Sequence, residues 1–275
     1  MFRGYIDESY DNKQKLFALS CLITNGKHWS EMERAWKLHL TAQNKKLKRA
    51  GRPLLSRYHA SDCSGRRNEF KGWTRDERDV FVLGLFGIFK RIPVHVVGYD
   101  MDLDNVCEVF PEWVNDRLGA AYYILTRFLL STILDDYMTL GGGAPAKITL
   151  FHDRTTGYDA TILRAFNKLV SEPDSNYAKL FTTVAPLTWE DCTALQPADL
   201  VAFEIFKEAE RRAELRVNPR KSFDALLDLN NFGIHTKSFT KDTLVKMRQQ
   251  MEDAKVIDPA AVAKEPMLSS RVGWP

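Results

Sequence analysis

The sequence predicts an α/β protein in which strands and helices alternate along the chain. The prediction rests on an opening pair of β-rich segments and on a later alternation of short apolar segments with segments of helical period. Of the 275 residues, 44% are hydrophobic and 27% are charged, which is typical of a globular protein. These values argue against a collagen-like, coiled-coil or disordered chain.

The opening segments predict a β-hairpin. Residues 2–9 and 16–24 are rich in β-forming side chains and are separated by a polar turn. A helix is predicted over about 28–49, with Ser30 as its N-cap and a basic C-terminal end. Residues 54–62 are predicted to form a short strand that leads into a loop.

The remaining elements continue the alternation. A helix is predicted over about 75–90, because Thr74 can cap it and Glu77 stands at the spacing of a capping box. Three further strands and four further helices are predicted: strands over 92–100, 147–153 and 179–187, and helices over 113–139, 158–170, 196–212 and about 240–252. The glycine-rich segment 141–145 is expected to end the long helix.

Charge, cysteine usage and hydropathy set broad limits. The net charge is +3, so a nucleic-acid surface has to come from local basic clusters. The four cysteines are too far apart in sequence for a zinc knuckle or a redox pair, and we expect reduced thiols. The first residues lack a signal-peptide pattern and no segment approaches a membrane span, so the expected location is cytoplasmic.

Several common catalytic motifs are absent. The sequence contains no GxxxxGK[ST], GxGxxG, GxSxG or HExxH pattern. The missing glycine-rich patterns argue against the usual nucleotide loops, and the other two against the usual hydrolase elbow and zinc-protease helix.

Acidic residues at the ends of predicted elements are the main candidates for chemistry. Asp7 and Glu8 lie at the end of the first predicted strand, Asp153 ends a later one, and Asp199 lies in the first turn of a predicted helix. Ligand sites in α/β sheets gather at the carboxyl ends of strands, and Mg²⁺ and Mn²⁺ prefer oxygen ligands. Strand alternation places Asp7 and Glu8 on opposite faces, so Asp7 is the preferred ligand and Glu8 the second choice.

Each acid also has a structural interpretation. Asp199 near a helix start is favoured by the helix dipole, and Asp153 can open a turn. Asp7 and Glu8 can be solvated residues before a hairpin turn. Spacing alone does not make these acids a site.

Five segments carry a resemblance to a known family. They are YIDES at 5–9, RYHASD at 57–62, NEFKGWTRDER at 68–78, ITLFHDRTTG at 148–157 and ALQPADLVAFEIFK at 194–207. Together they resemble the bacterial and phage family catalogued as "domain of unknown function 3800", over about residues 3–210. That family is thought to be similar to the ribonuclease H-like superfamily. The resemblance implies a ribonuclease H-like mixed β-sheet flanked by helices, with acidic residues holding Mg²⁺ or Mn²⁺ beside a phosphodiester.

The resemblance assigns metal-binding and catalytic roles residue by residue. Asp7, Asp153 and Asp199 match the family's acids, and Glu8 or Asp62 is the candidate for a fourth acid. The implied mechanism is two-metal hydrolysis of nucleic acid, DNA or RNA, in which Asp7 bridges the two ions. With this fold we predict a ribonuclease H-like domain over 1–217 and an additional C-terminal helical segment and tail over 218–275.

Other side chains are candidates for proton transfer and substrate binding. His59 or His152 can move a proton or contact phosphate. His59 is preferred, because His152 should point away from its neighbour Asp153. The alternative for His59 is a polar loop histidine without such a role. Trp73 and Tyr58 can stack on unpaired bases or pack in the interior. Three basic clusters can contact phosphates or can simply be solvated faces: Lys45, Lys46, Lys48, Arg49 and Arg52; Arg66 and Arg67; and Arg211, Arg212, Arg216, Arg220 and Lys221.

The sequence therefore favours a metal-dependent nuclease or related phosphodiester hydrolase. The alternative is a catalytically inactive ribonuclease H-like scaffold that binds nucleic acid or protein, which fits the lack of a secure fourth acid and of a strong basic bias. A third interpretation is a hydrolase that uses Asp or Glu with His and is insensitive to chelators.

Overall fold

A computed structural model shows a six-stranded mixed β-sheet with helices packed on both faces. The structure describes residues 1–253 except 12, 14, 112–115, 141–146, 155–156, 173–175, 214–219 and 230–232. The predicted α/β class, with a mixed sheet flanked by helices, is confirmed.

The sheet is built around the opening hairpin. Its strands are β1 (Phe2–Tyr10), β2 (Leu16–Asn25), β3 (His95–Asp102), β4 (Ile148–Asp153), β5 (Phe181–Leu187) and β6 (Ile234–Phe239). Their order across the sheet is β5-β4-β1-β2-β3-β6. The β1–β2 and β2–β3 pairs are antiparallel, whereas β1–β4, β4–β5 and β3–β6 are parallel. β1 and β2 therefore lie in the middle of the sheet.

The helices form two layers. They are α1 (Gly26–Arg49), α2 (Ala60–Gly65), α3 (Arg75–Phe89), α4 (Leu103–Val109), α5 (Arg117–Leu140), α6 (Asp159–Val170), α7 (Tyr177–Leu180), α8 (Leu195–Arg212), α9 (Lys221–Leu227) and α10 (Lys241–Asp253), with a 3₁₀ turn at Asn68–Phe70. Helices α1, α2, α3, α8 and α9 share one core on one face of the sheet, and α4, α5, α6 and α10 share the other. Within the described residues, no helix combines the length and the apolar character needed to cross a membrane.

Alternation along the central strands divides the side chains between the two cores. Tyr5 packs in the core that contains α8, and its neighbour Ile6 packs in the core that contains α5. β2 is buried along nearly its whole length, which explains its almost continuous run of apolar residues. A polar side chain placed on β1 between these layers is therefore withdrawn from water.

Most predicted elements are confirmed to within a few residues, but two local predictions are wrong. The cap of α1 is Asn25, whose Oδ1 accepts a hydrogen bond from the His28 backbone N at 2.9 Å, and not Ser30. The segment 54–62 is not a strand, since 60–65 forms α2. Its backbone is held by side chains instead of a sheet: the backbone N of Leu55 donates to Asn44 Oδ1 at 2.8 Å.

The region after residue 218 holds a strand that the sequence pattern did not reveal. β6 pairs in parallel with β3 from Val96 to Met101, so the sheet continues past the predicted boundary at 217. The predicted last helix is confirmed as α10. The capping box of Thr74 and Glu77 is also confirmed. The glycine-rich segment 141–145 lies outside the described residues.

Candidate functional site

Asp7 lies at the centre of the sheet, on the face that α8 covers. Its Cα pairs with that of Ser20 across the β1–β2 ladder, and its side chain shares a face with Tyr5. β1 continues to Tyr10, one residue beyond the predicted strand, so Asp7 lies three residues before its end; the pairing with β4 ends one residue before Asp7, at Ile6. The carboxylate is only 7% exposed, and its Oδ1 accepts a hydrogen bond from the backbone N of Glu8 at 2.8 Å.

Asp153 is the last residue of β4 and lies beside Asp7. The β1–β4 ladder ends with Ile6 opposite His152, so Asp7 and Asp153 each come one residue beyond that pair and on the same face. The backbone N of Arg154 donates to Asp153 Oδ1 at 3.0 Å. The predicted placement of this acid at a strand end is confirmed.

Asp199 reaches the same face from α8. The helix begins at Leu195, so Asp199 is its fifth residue and not part of the first turn as predicted; this weakens the helix-dipole interpretation. Its Oδ2 accepts a hydrogen bond from the backbone N of Ala60 at 2.8 Å, while Ser20 Oγ donates to the carbonyl O of the adjacent Ala198 at 3.4 Å. α8 is thereby fixed both to β2 and to the start of α2.

Gln196 ties the segment before α2 to the same helix. Its Oε1 accepts hydrogen bonds from the backbone N of Tyr58 at 2.9 Å and from Trp36 Nε1 at 3.0 Å. The motif LQPAD therefore fixes the segment before α2 at two points. Gln196 holds the chain at Tyr58, and Asp199 holds it at Ala60. The residue between them, His59, is presented at the edge of the acidic site.

All three carboxylates have a raised pKa, mainly because they are buried. Burial is the main cause for Asp7, and repulsion from Glu8, Asp199 and Asp153 raises its pKa further, well above the usual value. Burial also raises the pKa of Asp199 to about 6, with a further contribution from Asp153. The pKa of Asp153 is likewise raised by burial. The structure thus brings these acids from three separate elements into mutual electrostatic range.

A histidine with an ordered partner stands at the rim. His59 Nδ1 lies 2.9 Å from Asp62 Oδ2, which leaves Nε2 as the other ring position. The same Asp62 oxygen accepts from Asn68 Nδ2 at 2.9 Å, and Arg67 Nε lies 3.7 Å from Oδ1. Burial raises the pKa of Asp62, but the hydrogen bonds from His59 and Asn68 outweigh it and the net pKa is lowered.

Arg57 is a site residue that sequence reasoning missed. Its guanidinium carbon lies 4.1 Å from the centroid of the Trp189 ring, and its charge lowers the pKa of both Asp153 and Asp199. The available signal was its place as the first residue of the segment RYHASD at 57–62. Nothing in the local sequence indicated Trp189 as its stacking partner, because the two are far apart in the chain.

The remaining candidate residues fall outside the acidic face. Glu8 follows Asp7 in the strand and points to the opposite face, although its charge still acts on Asp7. Asp62 is engaged by His59. His152 is buried on the face of the other core, with Nδ1 2.9 Å from the carbonyl O of Asp153 and 3.6 Å from Asp159 Oδ1.

The two aromatic candidates for base stacking are core residues. Tyr58 is 2% exposed and Trp73 is 3% exposed, and both pack edge-on against other rings. Of the two alternatives for these side chains, the structure supports packing in the interior.

Several of the basic candidates are neutralised by acids. Arg52 pairs with Glu77 at 2.7 Å, and Arg212 pairs with Asp100 at 2.5 Å. Arg211 pairs with Glu208 at 2.6 Å. Arg216 lies outside the described residues, and Arg220 forms a buried ion pair described below.

The donor chemistry of the acidic face fits a hard divalent cation. Three carboxylates offer only oxygen ligands, which Mg²⁺ and Mn²⁺ prefer, and their raised pKa values show that the buried charges lack full compensation. Among the residues that the structure describes, however, no group of three or more His, Cys, Asp or Glu side chains is arranged to hold a metal ion.

Comparison with known proteins adds no family or activity: no protein-family model matches the chain, and no curated protein matches it.

Proposed function

We propose that this protein is a metal-dependent phosphodiester hydrolase that acts on nucleic acid and has a ribonuclease H-like fold. The observation that carries the proposal is the meeting of Asp7, Asp153 and Asp199 on one face of the sheet, where each is buried or partly buried and each has a raised pKa. The mixed sheet flanked by helices agrees with what the family resemblance implies.

The acids would hold Mg²⁺ or Mn²⁺, and such an ion supplies positive charge against a phosphodiester and lowers the pKa of water. Asp7 is the central ligand, because it lies between Asp153 on the neighbouring strand and Asp199 on the helix above. Burial raises the pKa of all three acids, and Asp153 raises the pKa of Asp7 and Asp199 further; a cation held by these carboxylates would lower the pKa values and displace protons.

Two further side chains act on the substrate. Asp62 fixes Nδ1 of His59, so that Nε2 is the position at which this ring accepts or donates a proton. Arg57, placed over the ring of Trp189, offers positive charge to the phosphate beside Asp153 and Asp199. Neither contact reads a base, which makes the expected recognition independent of sequence.

The test is a cleavage assay of the purified chain on single- and double-stranded DNA and RNA with Mg²⁺ or Mn²⁺. We expect cleavage that is lost with a chelator and lost in the double variant Asp7→Asn and Asp199→Asn. The double variant Asp224→Asn and Asp228→Asn is the matched control, since it removes the same two charges at exposed positions. Cleavage that survives in the double variant contradicts the proposal.

The second candidate is a scaffold that binds nucleic acid or protein without cleaving it. It is favoured by the lack of a ready-made metal-holding group among the described residues. The discriminating measurement is the melting temperature with Mn²⁺, because a ligand at about 100 times its Kd stabilises a folded protein by about 2.7 kcal/mol. No rise in Tm with Mn²⁺, together with retained oligonucleotide binding, supports the scaffold.

A further inference from the structure

We propose that a cavity between α3, α8 and the start of α9 is a binding site for a phosphate group. The cavity has a volume of about 620 Å³ and is separate from the three acids. The proposal does not depend on the proposed hydrolase function, because it rests only on the groups that line this cavity.

Positive charge dominates the cavity wall. Five basic side chains line it: Arg75, Arg78, Lys207, Arg220 and Lys221. The acids are Asp79 and Glu210 in the wall and Glu204 behind Arg220, which leaves a surplus of two positive charges. Such a surplus favours an anion.

The surplus is located on two exposed side chains. Arg78 is paired with Asp79 at 2.6 Å, and Lys207 is paired with Glu210 at 2.8 Å. Within the described part of the chain, Arg75 and Lys221 have no acidic partner. These two cations approach the cavity from α3 and from α9, so they can contact an anion from different sides.

Arg220 is held in place at the back of the cavity. Glu204 is completely buried and accepts from Arg220 Nε at 2.8 Å and from Nη2 at 2.7 Å. Ser222 Oγ donates to the same carboxylate at 2.7 Å. The third nitrogen, Nη1, lies 3.4 Å from Ser64 Oγ, a long contact that an anion oxygen can replace. The guanidinium therefore needs little reorganisation to bind a ligand.

The mixture of groups fits a phosphate better than a carboxylate. A phosphate group presents acceptor oxygens in several directions, and here donors stand on α2, α3 and α9. Val82 and Leu83 add an apolar wall suited to a sugar or base attached to the phosphate. The phosphate can belong to a small molecule such as a nucleotide or to the backbone of an oligonucleotide.

The test is a titration of the full chain with inorganic phosphate, followed by calorimetry at constant ionic strength. We expect saturable binding, and we expect the double variant Arg75→Gln and Lys221→Gln to weaken it by about tenfold or more, as loss of charged hydrogen bonds does. The double variant Lys168→Gln and Lys179→Gln is the matched control, since it removes two exposed cations from α6 and α7 on the other face of the sheet and should leave binding unchanged.

The sources of the phosphate are separated by competition. If inorganic phosphate displaces a single-stranded oligonucleotide, and the double variant abolishes that displacement, the site takes a backbone phosphate. If a nucleoside monophosphate binds but no oligonucleotide is displaced, the site takes the phosphate of a small ligand. Both results support an anion site. Absence of saturable phosphate binding, or equal binding in wild type and the double variant, overturns it. Because both substituted residues are exposed, an unchanged Tm verifies that the variant is folded.

Discussion

At the scale of single residues, the central feature is a carboxylate that the fold keeps from ionising freely. Asp7 sits between two hydrophobic layers, and the neighbouring acids oppose its negative charge. A group in this position destabilises the chain at neutral pH unless a cation compensates it. A residue whose charged form is unfavourable at its position is a candidate for function. Removing the charge separates the effect of this residue on stability from its effect on activity.

Replacing Asp7 with Asn should stabilise the chain in the absence of divalent ions. The substitution removes a buried, repelled charge while its Oδ1 still accepts the hydrogen bond from the backbone N of Glu8. We expect a higher free energy of unfolding at pH 7.5, because burial and the neighbouring acids raise the pKa of Asp7 well above its usual value and so disfavour its charged form in the folded chain. The measurement is urea unfolding, with Asp228→Asn as the control. A loss of stability in the Asp7 variant would show that burial of this carboxylate is already compensated.

The raised pKa of Asp199 sets the direction of the pH dependence. Its folded-state pKa of about 6 lies above the ordinary value of 3.8, so protons bind more tightly to the folded chain. The stabilisation is present in full below about pH 4 and is lost as the pH rises through about 6. With a chelator present, we expect the acidic site to make the free energy of unfolding fall as the pH rises from 4 to 7. The variant Asp199→Asn should show a smaller fall. A slope that is unchanged in the variant contradicts the assignment.

At the scale of elements, one helix organises the site. α8 carries Asp199, fixes the chain at Tyr58 through Gln196, and packs on β1 and β2. Its first turns are almost entirely buried, so it has little freedom to move. The position of His59, directly before α2, therefore depends on the hydrogen bonds that its two chain neighbours donate to side chains of α8.

Replacing Gln196 with Met should loosen this connection. Met has a similar shape but no acceptor, so the backbone N of Tyr58 and Trp36 Nε1 lose their partner. We expect a cost of about 2–4 kcal/mol, because each buried donor left unsatisfied costs about 1–3 kcal/mol. Hydrogen exchange of the backbone N–H groups of Tyr58 and Ala60 should accelerate by more than the overall loss of stability explains. Thr74→Ala is the control, because loss of this helix cap costs about 1 kcal/mol and leaves the contacts between Gln196 and the segment before α2 in place. Equal acceleration of exchange in both variants would contradict the role of Gln196.

The sequence predicted elements where local chemistry decides the structure. The α3 capping box is visible as Thr74 and Glu77, and the hairpin is visible as two apolar segments around a polar turn. The segment 54–62 looked like a strand because it contains apolar and β-forming residues, but long-range hydrogen bonds to side chains such as Gln196 decide its path. Such contacts join residues far apart in the chain and leave no local pattern.

The acidic site was predictable only in part, because local patterns place some of its residues and long-range contacts place the others. Asp153 ends a clear strand, and alternation along that strand fixes the face on which its side chain lies, whereas the pairing of β4 with β1 that brings it beside Asp7 has no local signal. Arg57 could not be assigned, because its role depends on stacking against Trp189. The catalytic and metal-binding roles of these residues stay predictions.

At the scale of the whole molecule, the segment after 218 is joined to the rest by a strand and by a buried ion pair. β6 covers the edge of β3, and Arg220 neutralises Glu204 on α8. An uncovered sheet edge favours association with other chains, and an unpaired buried charge is strongly destabilising. These contacts argue that residues 218–253 contribute to the stability of the sheet, whichever way the domain boundary is drawn.

A chain cut after residue 217 should therefore be much less stable than a chain ending at 253. Loss of Arg220 leaves the buried carboxylate of Glu204 unpaired, which costs about 3–5 kcal/mol, and loss of β6 exposes the backbone of β3. We expect chemical unfolding at lower denaturant concentration and association visible by light scattering. Adding Glu204→Gln to the shorter chain should recover part of the stability and leave the association, because it removes the charge without covering the strand. If the chain ending at 217 unfolds at the same denaturant concentration as the longer one and stays monodisperse, residues 1–217 are an independent domain.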